Sequence, residues 1–354
     1  MRAHRPASLL LAAALASAWA GLAGSVPTAT RAGFPPGSTG YHTYAEIRTD
    51  VRAVAAAHPA IVRTFSIGKS AQARDLLAAE VTTSELPESA KPGVLFDGGI
   101  HGAEHLGPEA ALALLHWLAD GYGSDARITR LVRTRSIFII FELNPDGLAY
   151  DISGGRYHEW RRNRQTTPGT TAIGTDVNRN FGYRWGCCGQ TSSNPRSGYF
   201  RGPKAFSTPE ASALRDFVAS RVINGKQQIR GYVSFHTFGR LVLWPYGYTK
   251  TDRTPDMSVD DHAVLVALGR GMGTRAKYKA EQGSDFSVDS GTSRDWAYGK
   301  WKILSFIMEL GVWDNPGDWA IKPETNRIRP ALLWFIDEMG CPYALIGKAA
   351  THCS

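Results

Sequence analysis

Cysteine is scarce here: four residues in 354, at Cys187, Cys188, Cys341 and Cys353. Long apolar runs are absent beyond residue 24, where no stretch reaches the roughly 18 residues a spanning helix needs, which excludes a helical membrane body. No basic run carries interleaved aromatics, so nothing points to nucleic acid. The chain also lacks internal repeats and low-complexity blocks. The Gly/Pro-rich segment Gly33 to Gly40 is the one linker-like stretch, which leaves no place for a second domain boundary further along. The net charge of +8 is a mild excess. Long-range attraction of acidic substrates or anionic cell-wall polymers is one reading of it, and dispersed surface lysines and arginines are the preferred one.

What is present begins at the amino terminus. Met1 to Pro6 is basic, Ala7 to Gly24 is almost wholly apolar or small, and Ala18-Trp19-Ala20 offers an Ala-x-Ala cleavage site. This is the pattern of a secretory signal peptide. Residues 1–32 are therefore expected to be signal peptide and short leader, and residues 33–354 one large domain with a substantial core. The protein is expected outside the cell, with no stable membrane association. In an oxidising compartment disulfides are the first expectation for the four cysteines. Three connectivities are open. Because neighbouring cysteines pair under strain, Cys341 and Cys353 are the expected partners of the Cys187-Cys188 loop.

Three residues stand out as metal donors. Pro92 to Ile100 reads as a buried strand entering a glycine turn, and Gly107 through Leu118 has helical periodicity, so His101 and Glu104 fall on a strand-to-helix loop. His236 ends a second short β-rich run, Gly231 to Phe235. Hydrolytic zinc sites take three donors from imidazole and carboxylate and leave a fourth position to water or substrate. An isolated His-x-x-Glu is by default a polar turn; the trio gains weight from Glu309, which ends a third apolar run. A buried carboxylate at such a place is costly without a partner. His105 and His116 are assigned to packing or surface.

Further residues follow in a recognisable order: Asn144-Pro145-Asp146-Gly147, Trp160-Arg161-Arg162-Asn163-Arg164, Asp176-Val177-Asn178-Arg179-Asn180, Ser234-Phe235-His236, Pro245-Tyr246-Gly247-Tyr248, Asp295-Trp296 and Phe306-Ile307-Met308-Glu309. This order resembles the metallocarboxypeptidases of the carboxypeptidase A and B family, specifically their secreted bacterial members, from about Tyr41 to Asp337. The resemblance implies one α/β domain: a mixed, twisted eight-stranded sheet with helices on both faces and the site at strand ends. It implies a single Zn²⁺ held by His101, Glu104 and His236, and Glu309 as general base and acid. Arg161 then stabilises charge on the scissile carbonyl oxygen, and Asn178 and Arg179 grip the terminal carboxylate. Asp176 holds the tautomer of His101. The implied partners are peptide or protein C-termini, and the enzyme is expected to be a monomer. Tyr41 to Val62 already reads as the first helix and strand, so inhibition by a propeptide domain is not expected.

Two positions depart from the family pattern. Where most relatives carry a tyrosine that closes over the substrate, this chain has Ser287, with Phe286 beside it. At the floor of the pocket for the leaving residue stands Arg294. A buried guanidinium needs an anion, and a substrate glutamate or aspartate would supply one, which leads to an expected acidic preference. Alternatively, Asp285 or Asp289 on the same loop neutralises Arg294 and leaves an undemanding pocket. Two other functions stay open on sequence: a peptidoglycan stem-peptide peptidase of the same fold, and a catalytically silent binding protein.

Overall fold

The computed structural model describes Met1 and residues 33–353. The signal peptide and leader expected over residues 1–32, cleavage site included, thus lie outside the described residues apart from Met1. Residues 33–353 fall within one compact unit.

Among the described residues ten strands occur in chain order: β1 Val62–Lys69, β2 Asp75–Val81, β3 Gly93–Gly98, β4 Ser136–Ile140, β5 Val222–Ile223, β6 Lys226–Gln227, β7 Ile229–Thr237, β8 Leu241–Trp244, β9 Lys279–Gln282 and β10 Leu304–Leu310. Eight of them make one sheet in the order β1-β2-β4-β3-β7-β10-β8-β9, while β5 and β6 form a separate ribbon. The central four strands, β4, β3, β7 and β10, run parallel. Their sequences explain this placement. β3, β4 and β10 are buried at every position, as strands covered on both faces must be, whereas β1 is only partly buried and takes the edge.

Among the described residues there are ten α-helices: α1 Tyr44–Ala57, α2 Leu106–Gly121, α3 Ala126–Thr134, α4 Pro145–Asp151, α5 Pro209–Ser220, α6 Val259–Ala276, α7 Gly283–Phe286, α8 Ser293–Trp301, α9 Ile321–Glu338 and α10 Ala349–His352. Alternate side chains of each central strand feed two separate cores. Val94 and Phe96 of β3 join Ile139 and Phe235 beneath α1, α2, α3, α6 and α9. Leu95 joins Phe138 and Tyr232 beneath α5 and α8. Helices on both faces of a mixed eight-stranded sheet are the expected architecture. Helix starts are set by local chemistry: Thr43 and Glu46 form a capping box on α1, and Thr208, with Pro209 next, caps α5.

Three expectations are corrected. The C-terminal helix, read from the sequence as starting near Pro330, starts at Ile321 with Pro330 inside it. An interior proline costs one backbone hydrogen bond and a clash with the carbonyl four residues back, and burial of Glu324, Thr325 and Ile328 offsets this and holds the preceding turns in place. The Gly33 to Gly40 stretch is no free linker: Phe34 is buried against Tyr41 and His105. Finally, Cys187 pairs with Cys188, and Cys341 with Cys353. The C-terminal segment is already tied to α6 by Tyr343 Oη donating to Asp261 at 2.6 Å and by His352 meeting Asp260 at 3.0 Å. The Cys187-Cys188 loop instead docks on the loop before α8, through Ser290.

Glu142, just past β4, is buried, and this burial, reinforced by Glu109 and opposed by Arg74, pushes its carboxyl up to about 8. Its folded-state value thus exceeds the unfolded one, so the folded state holds the extra proton between about pH 4.5 and 8 and stability falls as pH rises across that window. In thermal melts from pH 5 to pH 8, Glu142→Gln is expected to lose less stability than the parent protein. Parallel curves for the two proteins would contradict this assignment.

Candidate active site

The parallel strands bring the site together. β7 and β10 are adjacent in a register that sets His236 opposite Glu309, and β3 lies on the other side of β7 with Gly98 opposite Phe235. The loop that leaves β3 for α2 therefore emerges beside His236, and it carries His101 and Glu104. All chemistry falls at the carboxyl ends of these strands. Gly102 permits the loop its course: a Cβ there would lie 2.4 Å from the Trp160 carbonyl and 2.5 Å from Gly147.

His101, Glu104 and His236 are all buried, and their ligand atoms lie within 4.8 Å of one another. Glu104 is the hinge of the set. Its Oε1 lies 2.7 Å from His101 Nδ1 and its Oε2 2.9 Å from His236 Nδ1. Burial alone would push this carboxyl up, yet the two imidazoles hold it well below the usual carboxylate range. His101 Nε2 faces Asp176 Oδ1 at 3.2 Å, a contact that keeps the proton on Nε2 and turns the Nδ1 lone pair toward Glu104 and His236. Two imidazoles and one carboxylate, converging at the wall of an open cleft, fit a divalent ion with a position to spare. Elsewhere, His105 meets Asp151 at 3.0 Å and His116 meets Asp50 at 2.9 Å, as their packing and surface assignments require.

A cleft of about 550 Å³ is lined by His101, Glu104, His236, Glu309, Arg161, Asn178, Arg179, Arg294 and Ser287, all singled out from the sequence, while Asp176 lies behind its wall against His101 and Arg161. Burial, with the negative charge of Glu104 second and Arg161 opposing, holds the Glu309 carboxyl well above its ordinary value. Arg161 Nε donates to Asp176 Oδ2 at 2.8 Å, and its Nη1 stands 3.7 Å from Glu104 Oε1. Asp176 thus braces a metal donor and a guanidinium at once. Asn178 Oδ1 accepts from the Ser293 amide at 2.9 Å. Arg179 donates Nε to the Gln190 carbonyl and Nη1 to the Asn178 carbonyl. Its Nη2 is 3.4 Å from Asp289 Oδ2.

Arg294 is 1% exposed. Its Nε donates to Asp295 Oδ1 at 2.9 Å and its Nη2 to Asp289 Oδ1 at 3.3 Å. Asp289, not Asp285, is therefore its partner on the loop, and it is shared with Arg179. Gly247 and Gly283 leave the room: a Cβ at either would lie within 2.3 Å of the Arg294 guanidinium. Ser287 sits in the cleft wall directly after α7, its amide donating to the Gly283 carbonyl at 3.0 Å. Phe286 beside it is exposed. Asp289's double role, Gln190 and Tyr199 carry no motif and escaped the sequence reading. Each acts through a residue distant in the chain, and the one available signal was an aromatic, Tyr199, directly after the Ser/Asn/Pro/Gly-containing stretch 191–198.

The fold and the donor set define a metallohydrolase. The zinc carboxypeptidase family model matches residues 47–331. The chain is 38% identical over 320 residues to a zinc carboxypeptidase of Saccharothrix mutabilis subsp. capreolus, covering 89% of this chain and 73% of that protein. It is 32% identical over 273 residues to human carboxypeptidase A1, covering 76% of this chain but 62% of the human protein, so it spans less than two thirds of that relative. Bovine thrombin-activatable fibrinolysis inhibitor, solved with a tick carboxypeptidase inhibitor, superposes with a TM-score of 0.73 at 26% identity over 84% of this chain and 97% of that one. The chain belongs to the zinc carboxypeptidase family, a family of metallocarboxypeptidases whose ion is zinc.

Asp176→Asn keeps the shape of the side chain but weakens its hold on His101. Zinc affinity, measured by competition with a chromophoric chelator, is expected to fall about 10- to 100-fold. Unchanged affinity would show that Asp176 does not orient the imidazole.

Proposed function

We propose that this protein is a secreted zinc carboxypeptidase that removes single amino acids from the C-termini of peptides or proteins. One observation carries the exopeptidase reading: Asn178 and Arg179, an amide and a guanidinium fork suited to a terminal carboxylate, share one cleft with the three metal donors. Secretion is supported by the basic and apolar order of residues 1–24 and by two disulfides, which suit an oxidising compartment. Among the described residues no helix is long and apolar enough to cross a membrane.

Bound by His101, Glu104 and His236, zinc supplies Lewis-acid polarisation and makes water more acidic. Glu309, buried with a raised affinity for protons, takes a proton from the attacking water and delivers it to the departing amine nitrogen. Arg161, fixed by Asp176, faces the carbonyl oxygen as negative charge develops there. Arg179 and Asn178 hold the substrate's carboxylate and so fix which peptide bond is presented to Glu309 and Arg161.

An acidic preference for the leaving residue belongs to the same proposal, supported by Arg294 in the cleft wall. The pairing with Asp289 and Asp295 favours a second reading, a polar pocket of balanced charge in which an acidic side chain reaches Arg294 only by displacing Asp289. The two readings diverge in one variant. Across blocked dipeptides ending in Glu, Leu and Arg, Asp289→Asn is expected to raise the Glu-to-Leu ratio of kcat/KM about tenfold, the equivalent of ~1.4 kcal/mol, and Arg294→Ala to abolish any preference for Glu. A ratio indifferent to both substitutions would remove Arg294 from specificity altogether.

Glu309→Gln provides the mechanistic check. It is expected to lower kcat at least 100-fold with zinc content retained, and near-parental kcat would displace Glu309 from its role.

A further inference from the structure

Tyr199 has no assigned part in the reading above, yet it stands between its two working cations. Its ring centroid is 5.4 Å from the Arg161 guanidinium carbon and 5.7 Å from that of Arg179. Aromatic faces attract guanidinium ions at this range, so one ring meets both. It also lines the cleft and is 39% exposed, an arrangement that offers the phenol to a ligand.

The backbone around it is fixed, not loose. The Tyr199 amide donates to Ser197 Oγ at 3.2 Å, and its carbonyl accepts from the Ser192 amide at 2.9 Å. The next residue, Phe200, is 3% exposed, and its carbonyl accepts from the amide of Asp176 at 2.8 Å. Tyr199 is thereby tied to the same carboxylate residue that braces His101 and Arg161. Its hydroxyl, by contrast, has no hydrogen-bond partner among the described residues. A rigidly mounted phenol with a spare donor, flanked by two guanidinium ions, is complementary to an anion that both arginines attract.

Resting on the carboxypeptidase reading, we propose that Tyr199 is a substrate-positioning residue whose hydroxyl donates a hydrogen bond to the terminal carboxylate of the peptide, while its ring holds Arg161 and Arg179 at the separation of the last carbonyl and that carboxylate. A carboxylate accepts about four hydrogen bonds, so Arg179 and Asn178 leave room for the phenol. Tyr199 takes no part in proton transfer.

The test uses the zinc-loaded enzyme, a blocked dipeptide substrate, and a pair of unreactive peptide ligands that differ only in ending as a free carboxylate or as a carboxamide. Tyr199→Phe, which keeps the ring and loses the hydroxyl, is expected to raise KM and the Kd of the carboxylate ligand about tenfold, the scale of one hydrogen bond to a charged group. It should leave kcat within about twofold and the Kd of the carboxamide ligand unchanged. Tyr199→Leu should weaken the carboxylate ligand further, with zinc content and melting temperature retained. Equal affinity of Tyr199→Phe and parent for the carboxylate ligand, an equal loss for both ligands, or a fall in kcat alone would each overturn the assignment. If the parent enzyme releases no C-terminal amino acid, the carboxypeptidase reading fails instead, and the two failures are distinct.

Discussion

One buried carboxylate organises the site. Each oxygen of Glu104 faces the Nδ1 of a different imidazole, and three such donors out of water are tolerable only if a cation or shared protons compensate them. Meeting that requirement dictates much of the surrounding architecture. Residues 101, 104 and 236 are brought together because β3 and β7 are parallel neighbours, and Glu309 arrives because β10 continues the parallel run. The hydrophobic strands supply the force; the loop after β3 supplies the geometry.

Beyond the metal donors, the cleft is arranged as alternating charge. Asp176 links His101 to Arg161, and Asp289 links Arg179 to Arg294, which leans in turn on Asp295. Each of these three cleft arginines thus keeps a carboxylate behind or beside it. This arrangement fixes guanidinium groups before substrate arrives and reduces the reorganisation that binding demands. It also explains how a buried arginine can line the cleft: Asp289 and Asp295 balance its charge, and Gly247 and Gly283 give it space.

The sequence was most informative where a function is written in consecutive residues. His101 and Glu104, the Asn178-Arg179 pair and the largely apolar strands that carry His236 and Glu309 near their ends are short patterns that gain a single meaning when taken together, and they located the metal donors, the carboxylate beside them and the sheet. Contacts between distant segments were not legible. That Asp289 rather than Asp285 meets Arg294 depends on the direction in which a loop turns after α7. That Cys187 pairs with its neighbour depends on the loop docking against Ser290, far along the chain. The early start of α9 was hidden because Pro330 reads as a boundary until tertiary burial of Ile328 overrides it. Tyr199 drew no reading from the sequence because its two partners lie 38 and 20 positions away.

The central claim is that two imidazoles and one carboxylate hold the catalytic ion, and X-ray absorption at the zinc edge of the purified protein tests it most directly. The account predicts one zinc per chain with two nitrogen ligands at about 2.0–2.1 Å and carboxylate oxygen at about 2.0–2.2 Å, with both imidazole signatures reduced to one in His236→Ala. A sulfur shell near about 2.3 Å, an imidazole count unaffected by His236→Ala, or active enzyme free of metal would contradict it.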